Sequence, residues 1–322
     1  MNFKKLLLIF CIPFSCVLAQ VKPVYTQYML NQYLLNPAVA GTQDYWDLKA
    51  SSRFQWVGVE GYPKSIYASA QGSFGKTVLN TTKKNSKKTY KTKNYNGDPS
   101  FHGLGGIIAA DKTGPTSVIS AYASYTFNLK LSRDLRIALG IAPGFQNFSI
   151  NSDGFEISTA RDISVFVPDL TAGLWLYNTN FYFGFSSHQI LESKLNLYNL
   201  YYNKNKLNRH YFANAGYKVE LGNFFYLVPS VMVRYINPLP ADVDLNLKGF
   251  YDGRAWAGFT FRPVSKSVAF MAGMNFNGKI DFSYAYDYYN SYLNTVSFGT
   301  HEIIVGYRFR INKELYSPSD FW

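Results

Sequence analysis

The chain has 322 residues and a formal net charge of +12; 18% of its residues are aromatic, including 27 Tyr and 26 Phe, and only 16% are charged. Soluble domains carry about 25% charged residues, whereas Tyr, with an apolar body and a wet tip, suits a membrane interface. Both cysteines, Cys11 and Cys16, precede residue 20, and no apolar run of about 18 residues follows them. Disulfides, cysteine-held zinc and membrane-spanning helices are therefore excluded beyond that point, so a membrane form of the chain would have to be a closed β-barrel.

At the N-terminus, Lys4 and Lys5 precede the apolar run Leu6 to Leu18, and Val17-Leu18-Ala19 offers a cleavage site before Gln20. This pattern predicts a secretory signal peptide over residues 1–19. Pro13 and the shortness of the run argue against a retained helical anchor, and Pro13-Phe14-Ser15-Cys16 fits a lipoprotein site poorly. Residues 20–44 then form a periplasmic or lumenal segment, in which Pro37 disfavours helix at Asn36 and should end a short helical or irregular stretch before the first strand.

From residue 45 to 311 the pattern is period two. Ile119, Ala121, Ala123, Tyr125, Phe127 and Leu129 alternate with Ser120, Tyr122, Ser124, Thr126 and Asn128. Leu135 to Phe145 repeats the alternation, and the last hairpin sets Phe282, Tyr284, Tyr286 and Tyr288 against Asp281, Ser283, Ala285 and Asp287. Weaker versions at 45–56, 64–74, 102–110, 169–178, 180–188, 209–219, 224–235, 242–250, 254–262 and 267–276 bring the prediction to an all-β transmembrane antiparallel barrel of about fourteen strands. A soluble β-sandwich also gives alternation, but the export signal and the scarcity of charge on the apolar faces favour the membrane barrel.

Turn formers at Lys130 to Asp134, Asn178 to Asn180, Leu221 to Asn223, Asp252-Gly253 and Asn277 to Lys279 are read as periplasmic turns, with the longer connections 149–168, 189–208 and 289–300 on the other side. An even strand count puts both termini, including the tail 312–322, in the periplasm of an outer-membrane protein. Much of the positive charge sits in the polar insertion 76–100, with Lys76, Lys83, Lys84, Lys87, Lys88, Lys91 and Lys93. That insertion is either a solvated loop or a dock for an acidic periplasmic partner or peptidoglycan carboxylates. A nucleic-acid partner is not expected in the cell envelope, where outer-membrane lipids are the anionic surface.

The predicted lumen faces carry both signs: Lys49, Arg53, Arg136, Asp242, Asp244, Lys248, Arg254, Asp281, Asp287, Glu302, Arg308 and Arg310. They suit a lumen of paired charges, with Asp281 and Arg310 as a cross-strand pair, better than a one-signed selectivity ring. His102, His188, His210 and His301 fall near strand ends with no metal-ligand spacing. No nucleophile or carboxylate pair stands out, so neither an enzyme nor a metal or other cofactor is expected. Gly103-x-Gly105-Gly106 reads as small lumen residues or close backbone approach rather than a phosphate loop.

Gln27-Tyr28-Met29-Leu30-Asn31-Gln32 followed by Asn36-Pro37-Ala38-Val39-Ala40-Gly41 resembles the opening of the PorP/SprF family of type IX secretion system membrane proteins. Arg53-Phe54-Gln55-Trp56-Val57-Gly58 with Pro63-Lys64, then Asp111-Lys112-Thr113-Gly114-Pro115, then Leu131-Ser132 before Leu135-Arg136, are similar to its next elements. The resemblance implies a non-enzymatic barrel of the secretion and gliding machinery. Its implied role is secretion or surface attachment of a cognate surface protein, adhesin-like, with a C-terminal sorting domain. It also implies contact with a periplasmic OmpA-like peptidoglycan-binding lipoprotein or other secretion-system components. A passive outer-membrane channel for small solutes is the alternative. The partner-binding candidates are Gln27, Tyr28, Asn31, Gln32, Asn36 and Pro37 on a periplasmic or lumen-facing segment, and Arg53, Trp56, Asp111, Lys112, Gly114 and Pro115 near the extracellular rim. Barrel-closing structure is the competing role for all of them.

Overall fold

The computed structural model describes residues 25–75, 100–132, 134–151, 163–194, 206–222, 224–290 and 295–309. The expected signal peptide, the lysine-rich insertion, the C-terminal tail and Arg310 lie outside them. The described residues contain no helix long and apolar enough to cross a membrane.

Fourteen antiparallel strands follow one another around the wall: β1 Trp46–Phe54, β2 Lys64–Phe74, β3 Ser100–Thr113, β4 Thr116–Lys130, β5 Arg136–Ile150, β6 Ile163–Tyr177 and β7 Phe181–His188. They continue as β8 His210–Tyr217, extended past Lys218 by Val219–Glu220, then β9 Phe225–Ile236, β10 Asp242–Tyr251, β11 Ala255–Arg262, β12 Ser267–Phe276, β13 Ile280–Tyr289 and β14 Thr300–Phe309. Each strand pairs with its sequence neighbours, and β1 pairs with β14, Trp46 opposite Phe309 and Phe54 opposite His301, which closes the ring. Closure leaves no edge between first and last strands, as hydrocarbon requires.

The alternation decides which face each residue takes. On β4, Ile119, Tyr125 and Leu129 are exposed on the outside while Ser120, Ser124, Thr126 and Asn128 are buried inside. On β13, Phe282, Tyr284 and Tyr288 point out while Ser283, Ala285 and Asp287 are buried. An outward belt of Leu, Ile, Phe and Tyr thus surrounds the barrel, and burying it in lipid is the main hydrophobic gain available.

Strands β3, β5 and β6 run 14 or 15 residues, longer than the stretches of alternation at 102–110, 135–145 and 169–178, whereas β4 at Thr116–Lys130 ends one residue past its expected Thr116 to Leu129. The extra residues of β5 and β6 carry polar outward side chains, Asn147, Ser149 and Ser164, so these strands rise beyond the apolar belt at the end that bears the long connections. The other end carries the short turns 131–135, 178–180, 221–224, 252–254 and 277–279. Two expected charge positions change. Arg254 stands in the turn after β10, exposed and paired with Asp252 at 3.2 Å, because the strand ends at Tyr251. Asp281 pairs with Arg308, Nε to Oδ2 2.6 Å, since the register sets Asp281 opposite Gly306.

Candidate functional site in the lumen and at the rim

The lumen is filled by the chain's own segment Tyr25 to Tyr45. From Tyr25 to Gln43 this stretch has no charged residue, and all of it except Leu30 is buried. It folds as three consecutive single turns of 3-10 helix, Tyr28–Leu30, Gln32–Leu34 and Pro37–Val39, the short pieces in which this helix is normally found. Asn36 is extended, at φ −144° and ψ 112°, so the second turn ends before Pro37 as expected, but Pro37 then opens a third turn where a direct passage to the strand was expected. It occupies the first helical position, where its missing N–H is no loss, while the Asn36 side chain caps the turn by accepting from Ala38 N at 2.9 Å.

The segment crosses the lumen lengthwise. Tyr25 packs edge-on to Tyr67, ring centroids 4.7 Å apart, in the half nearer the long connections. Gly41 reaches the short-turn end, against Gly72, Ser73 and Gly103. Below it, Trp175 stacks on Tyr182 at 4.9 Å and Tyr226 on Phe250 at 4.6 Å, closing the short-turn half with aromatic rings.

Two kinds of seat hold this plug. Its second half lies in a groove of glycines. A Cβ on Gly173 would stand 1.9 Å from Asn36 Oδ1, one on Gly140 2.4 Å from Ala38 N, one on Gly103 2.1 Å from the Ala40 oxygen and one on Gly105 2.4 Å from the Tyr33 hydroxyl. Asn36 Nδ2 donates to the Leu174 and Phe185 carbonyls at 2.8 and 3.2 Å, and Thr126 Oγ1 donates to the Pro37 oxygen at 2.7 Å. The Leu35 carbonyl accepts from Ser186 Oγ at 2.5 Å and lies 2.7 Å from His188 Nε2.

The first half is held by side chains. Thr26 N and Gln27 N donate to the Glu302 carboxylate at 2.7 and 3.3 Å, and Thr26 Oγ1 donates to Asp287 at 2.6 Å. Arg53 reaches Thr26 Oγ1 at 2.8 Å, Asp287 at 3.3 Å and Glu302 at 3.5 Å, and Arg262 bridges Asp287 and Asp244, each at 3.3 Å. Asn246 donates to the Tyr28 hydroxyl at 2.7 Å, Lys248 to the Met29 oxygen at 3.0 Å, Asn214 to Gln32 Oε1 at 2.6 Å and Asn31 to Ser69 Oγ at 2.9 Å.

The expected site residues therefore separate into two groups. Gln27, Tyr28, Asn31, Gln32, Asn36 and Pro37 are all in the plug. Arg53 lies one residue from the end of β1 on the long-connection side and faces the lumen, as its strand parity predicts: its side chain is 4% exposed and shares the inward parity of Asp47 and Ser51. Trp56 does stand at the long-connection end, at φ +58°, 6.2 Å edge-on to Tyr289. Asp111 and Lys112 lie at the end of β3, opposite Ser65 and Lys64, and Gly114-Pro115 forms the turn into β4. That turn meets the loop after β1 where Gly114 N donates to the Gly61 oxygen at 3.0 Å. The same loop joins the segment before β14, with Val57 N to Gly299 O 2.9 Å and Phe298 N to Val57 O 2.7 Å, leaving Phe298 76% exposed.

Sequence reasoning placed Asp287, Glu302 and Lys248 in the lumen but did not connect them to the plug. It placed Gly140 on the inward face without a role and missed Gly173, Ser186 and Asn214. The available signal was the uncharged, amide-rich stretch from Tyr25 to Gln43, unusual for a segment in solvent. No group of three or more His, Cys, Asp or Glu with metal-holding geometry occurs among the described residues.

The family model for the type IX secretion system membrane protein PorP/SprF matches residues 17–307. The chain belongs to that family. It is a family of secretion-system membrane barrels, not of enzymes, and it places this barrel in the outer membrane. No curated protein matches the chain. Among solved structures, it is similar to the Pseudomonas putida toluene transporter TodX, at 10% identity over 87% of this chain and 94% of that one, TM-score 0.50. The CymD monoaromatic hydrocarbon channel aligns at 11% identity over 91% and 94%, TM-score 0.51, and a TodX deltaS2S3 mutant at 8% over 87% and 94%, TM-score 0.53. At such identities the likeness is one of fold. Within the family's matched span, the Gln27 to Gly41 motif builds the plug, and the Arg53 to Gly58 and Asp111 to Pro115 motifs meet at one end of the barrel.

Proposed function

We propose that this PorP/SprF-family barrel binds a cognate secreted surface protein at its long-connection end and is needed for that protein's secretion or attachment. The observation that carries this reading is the plug. A lumen crossed lengthwise by a buried segment, tied to the wall through more than one strand, is built to hold its shape rather than to conduct. The binding surface is then the rim, where Trp56, Phe298 and the Gly114-Pro115 turn gather, and the plug is its rigid floor. In this orientation the short turns, the end of β14 and the lysine-rich insertion face the periplasm, where an acidic or peptidoglycan-binding component of the machinery docks.

The test is deletion of the gene, with surface proteins followed by proteolysis of intact cells and uptake of small solutes measured in parallel. Loss of one surface protein from the cell surface with unchanged uptake is the expected result. Retention of every surface protein with reduced uptake would establish the channel reading instead. Deleting residues 80–96 tests the periplasmic dock: partner recovery from purified outer membranes should fall while the barrel still forms.

A further inference from the structure

Among the described residues, strand β6 has one half of an edge left open. It pairs with β5 along its whole length, Ile150 opposite Ile163 through Arg136 opposite Tyr177. With β7 it pairs only from Ala172 to Tyr177. Past that point the chain after β7 peels away, giving β6 two contacts, Ile190 N to the Leu170 oxygen at 3.0 Å and Ser193 Oγ to the Pro168 oxygen at 2.7 Å. On the side away from β5, no described residue pairs with β6 from Ile163 to Val167.

The direction of the open groups follows from Pro143, which stands opposite Leu170. The β4–β5 pairing lapses at Pro143, between Tyr122 opposite Gly144 and Tyr125 opposite Ile141, because its nitrogen, turned toward β4, has no hydrogen to donate. In an antiparallel pair a residue turns both main-chain groups to the same side, so Pro143 turns away from β6. Leu170, its non-bonded opposite, turns away from β5, as its bond to Ile190 N confirms. Pro168, Phe166 and Ser164 share that parity. Pro168 thus sits where a missing N–H costs no ladder bond, the position proline takes in sheets, and Ser164 and Phe166 present two N–H and two C=O groups outward. Phe166, 65% exposed and stacked on Phe145 at 4.9 Å, marks the edge of the apolar belt, with polar Ser164 and Asn147 above it. These unpaired groups therefore stand at or above the interface, since in hydrocarbon they would be too costly.

The flank beside this edge is basic. Lys206 and Arg209 lie 3.2 and 3.7 Å from the Glu192 carboxylate, Lys194 bridges Lys206 through the main chain, and Leu207 packs on Val167. We propose that the open edge of β6 at Ile163 to Val167 accepts an extended strand of the secreted partner by β-augmentation, the added strand carrying apolar residues on alternate positions and acidic residues toward this flank. Main-chain bonds supply the docking and the basic flank selects the partner. The inference rests on the binding role proposed above.

The experiment uses the full chain in outer membranes and, as probe, the surface protein whose display the gene deletion abolishes. Ser164→Pro removes an outward N–H without touching the bonds to β5, and Ser164→Ala is the control; heat-shifted mobility in gels reports that each barrel is folded. A photocrosslinking residue at Phe166 is compared with one at Leu245, on the lipid face of β10 four strands away. The expected result is crosslinking of the surface protein from 166 and not from 245, through one peptide of that protein, with display reduced at least fivefold by Ser164→Pro and unchanged by Ser164→Ala. Crosslinking to a second copy of this chain would overturn the proposal in favour of self-association. Wild-type display in a folded Ser164→Pro barrel would overturn it while leaving the binding role intact; if Ser164→Pro fails to fold, absence of the 166 crosslink in the wild-type chain overturns it equally.

Discussion

The two halves of the plug are held by different physics. From Asn36 to Gly41 the chain lies directly on glycines, its backbone at Ala38 and Ala40 on Gly140 of β5 and Gly103 of β3 and the Asn36 amide oxygen on Gly173 of β6, so the fit is steric. From Thr26 to Met29 it hangs from carboxylates, guanidinium groups, an amide and an ammonium reaching in from β1, β10, β11, β13 and β14. A steric seat tolerates almost no change of shape. A charged seat keeps its shape only while every charge retains its partner, since a buried ion left alone costs several kcal/mol. The first half, which lies nearest the rim, is therefore the half that a binding event could release.

The largest effect should follow from filling the steric seat. In Gly140→Leu the new side chain has no space, its first carbon already falling 2.4 Å from Ala38 N. Overpacking typically costs about 1–3 kcal/mol and more where backbone must move, so the plug should leave while the outward belt still inserts in lipid. Purified wild-type barrel in planar bilayers should be closed and Gly140→Leu should show open-channel steps. Closed behaviour in both, with equal thermal midpoints, would mean the glycine groove does not hold the plug.

Arg53→Ala tests the charged seat. It leaves Asp287 and Glu302 without a guanidinium that lies 3.3 and 3.5 Å from them, at a cost of about 3–5 kcal/mol for a broken buried pair. Maleimide labelling of a cysteine placed at Thr26 should rise in this background, while labelling at Ala38 should not. Equal rises at both positions would show that the plug moves as one body and would erase the distinction between its halves. Asn36→Ala should act more weakly, by about 1–3 kcal/mol in urea unfolding from vesicles, the cost of stranding the Leu174 and Phe185 carbonyls and uncapping Ala38 N.

Much of the barrel is legible in the sequence because lipid imposes a simple rule: alternate residues must be apolar, and turns must carry turn formers. Positions such as Ile119 against Ser120 or Phe282 against Ser283 follow from it directly. The excess length of β5 and β6 is not legible, since above the belt the outward Asn147, Ser149 and Ser164 turn polar while the inward Phe148, Val165 and Val167 are apolar, which inverts the alternation that marks the strands below. The plug was half legible. Its segment and the glycines at 103 and 105 stand out, but where three turns of 3-10 helix lie in a barrel depends on contacts between residues as distant as Thr26 and Glu302, which no local pattern encodes. Arg53 was legible as a lumen-facing residue near the rim, but its partners were not: its bond to Thr26 Oγ1 and its place between Asp287 and Glu302 depend on how the plug folds.

The smallest structural effect and the cleanest functional one should come from the rim. Phe298 is 76% exposed, with its ring edge beside Gly58, so Phe298→Ser should change stability by no more than about 0.5 kcal/mol, the usual range for surface substitutions. An exposed aromatic that anchors a partner contributes about 2 kcal/mol or more, equivalent to roughly thirtyfold in affinity. If the rim binds the surface protein, Phe298→Ser should release that protein into the medium while the barrel stays closed in planar bilayers and Thr26 stays protected from maleimide. If instead Arg53→Ala releases the protein and Phe298→Ser does not, the plug's first half is itself part of the binding surface, and the division between rim and floor must be moved inward to Thr26.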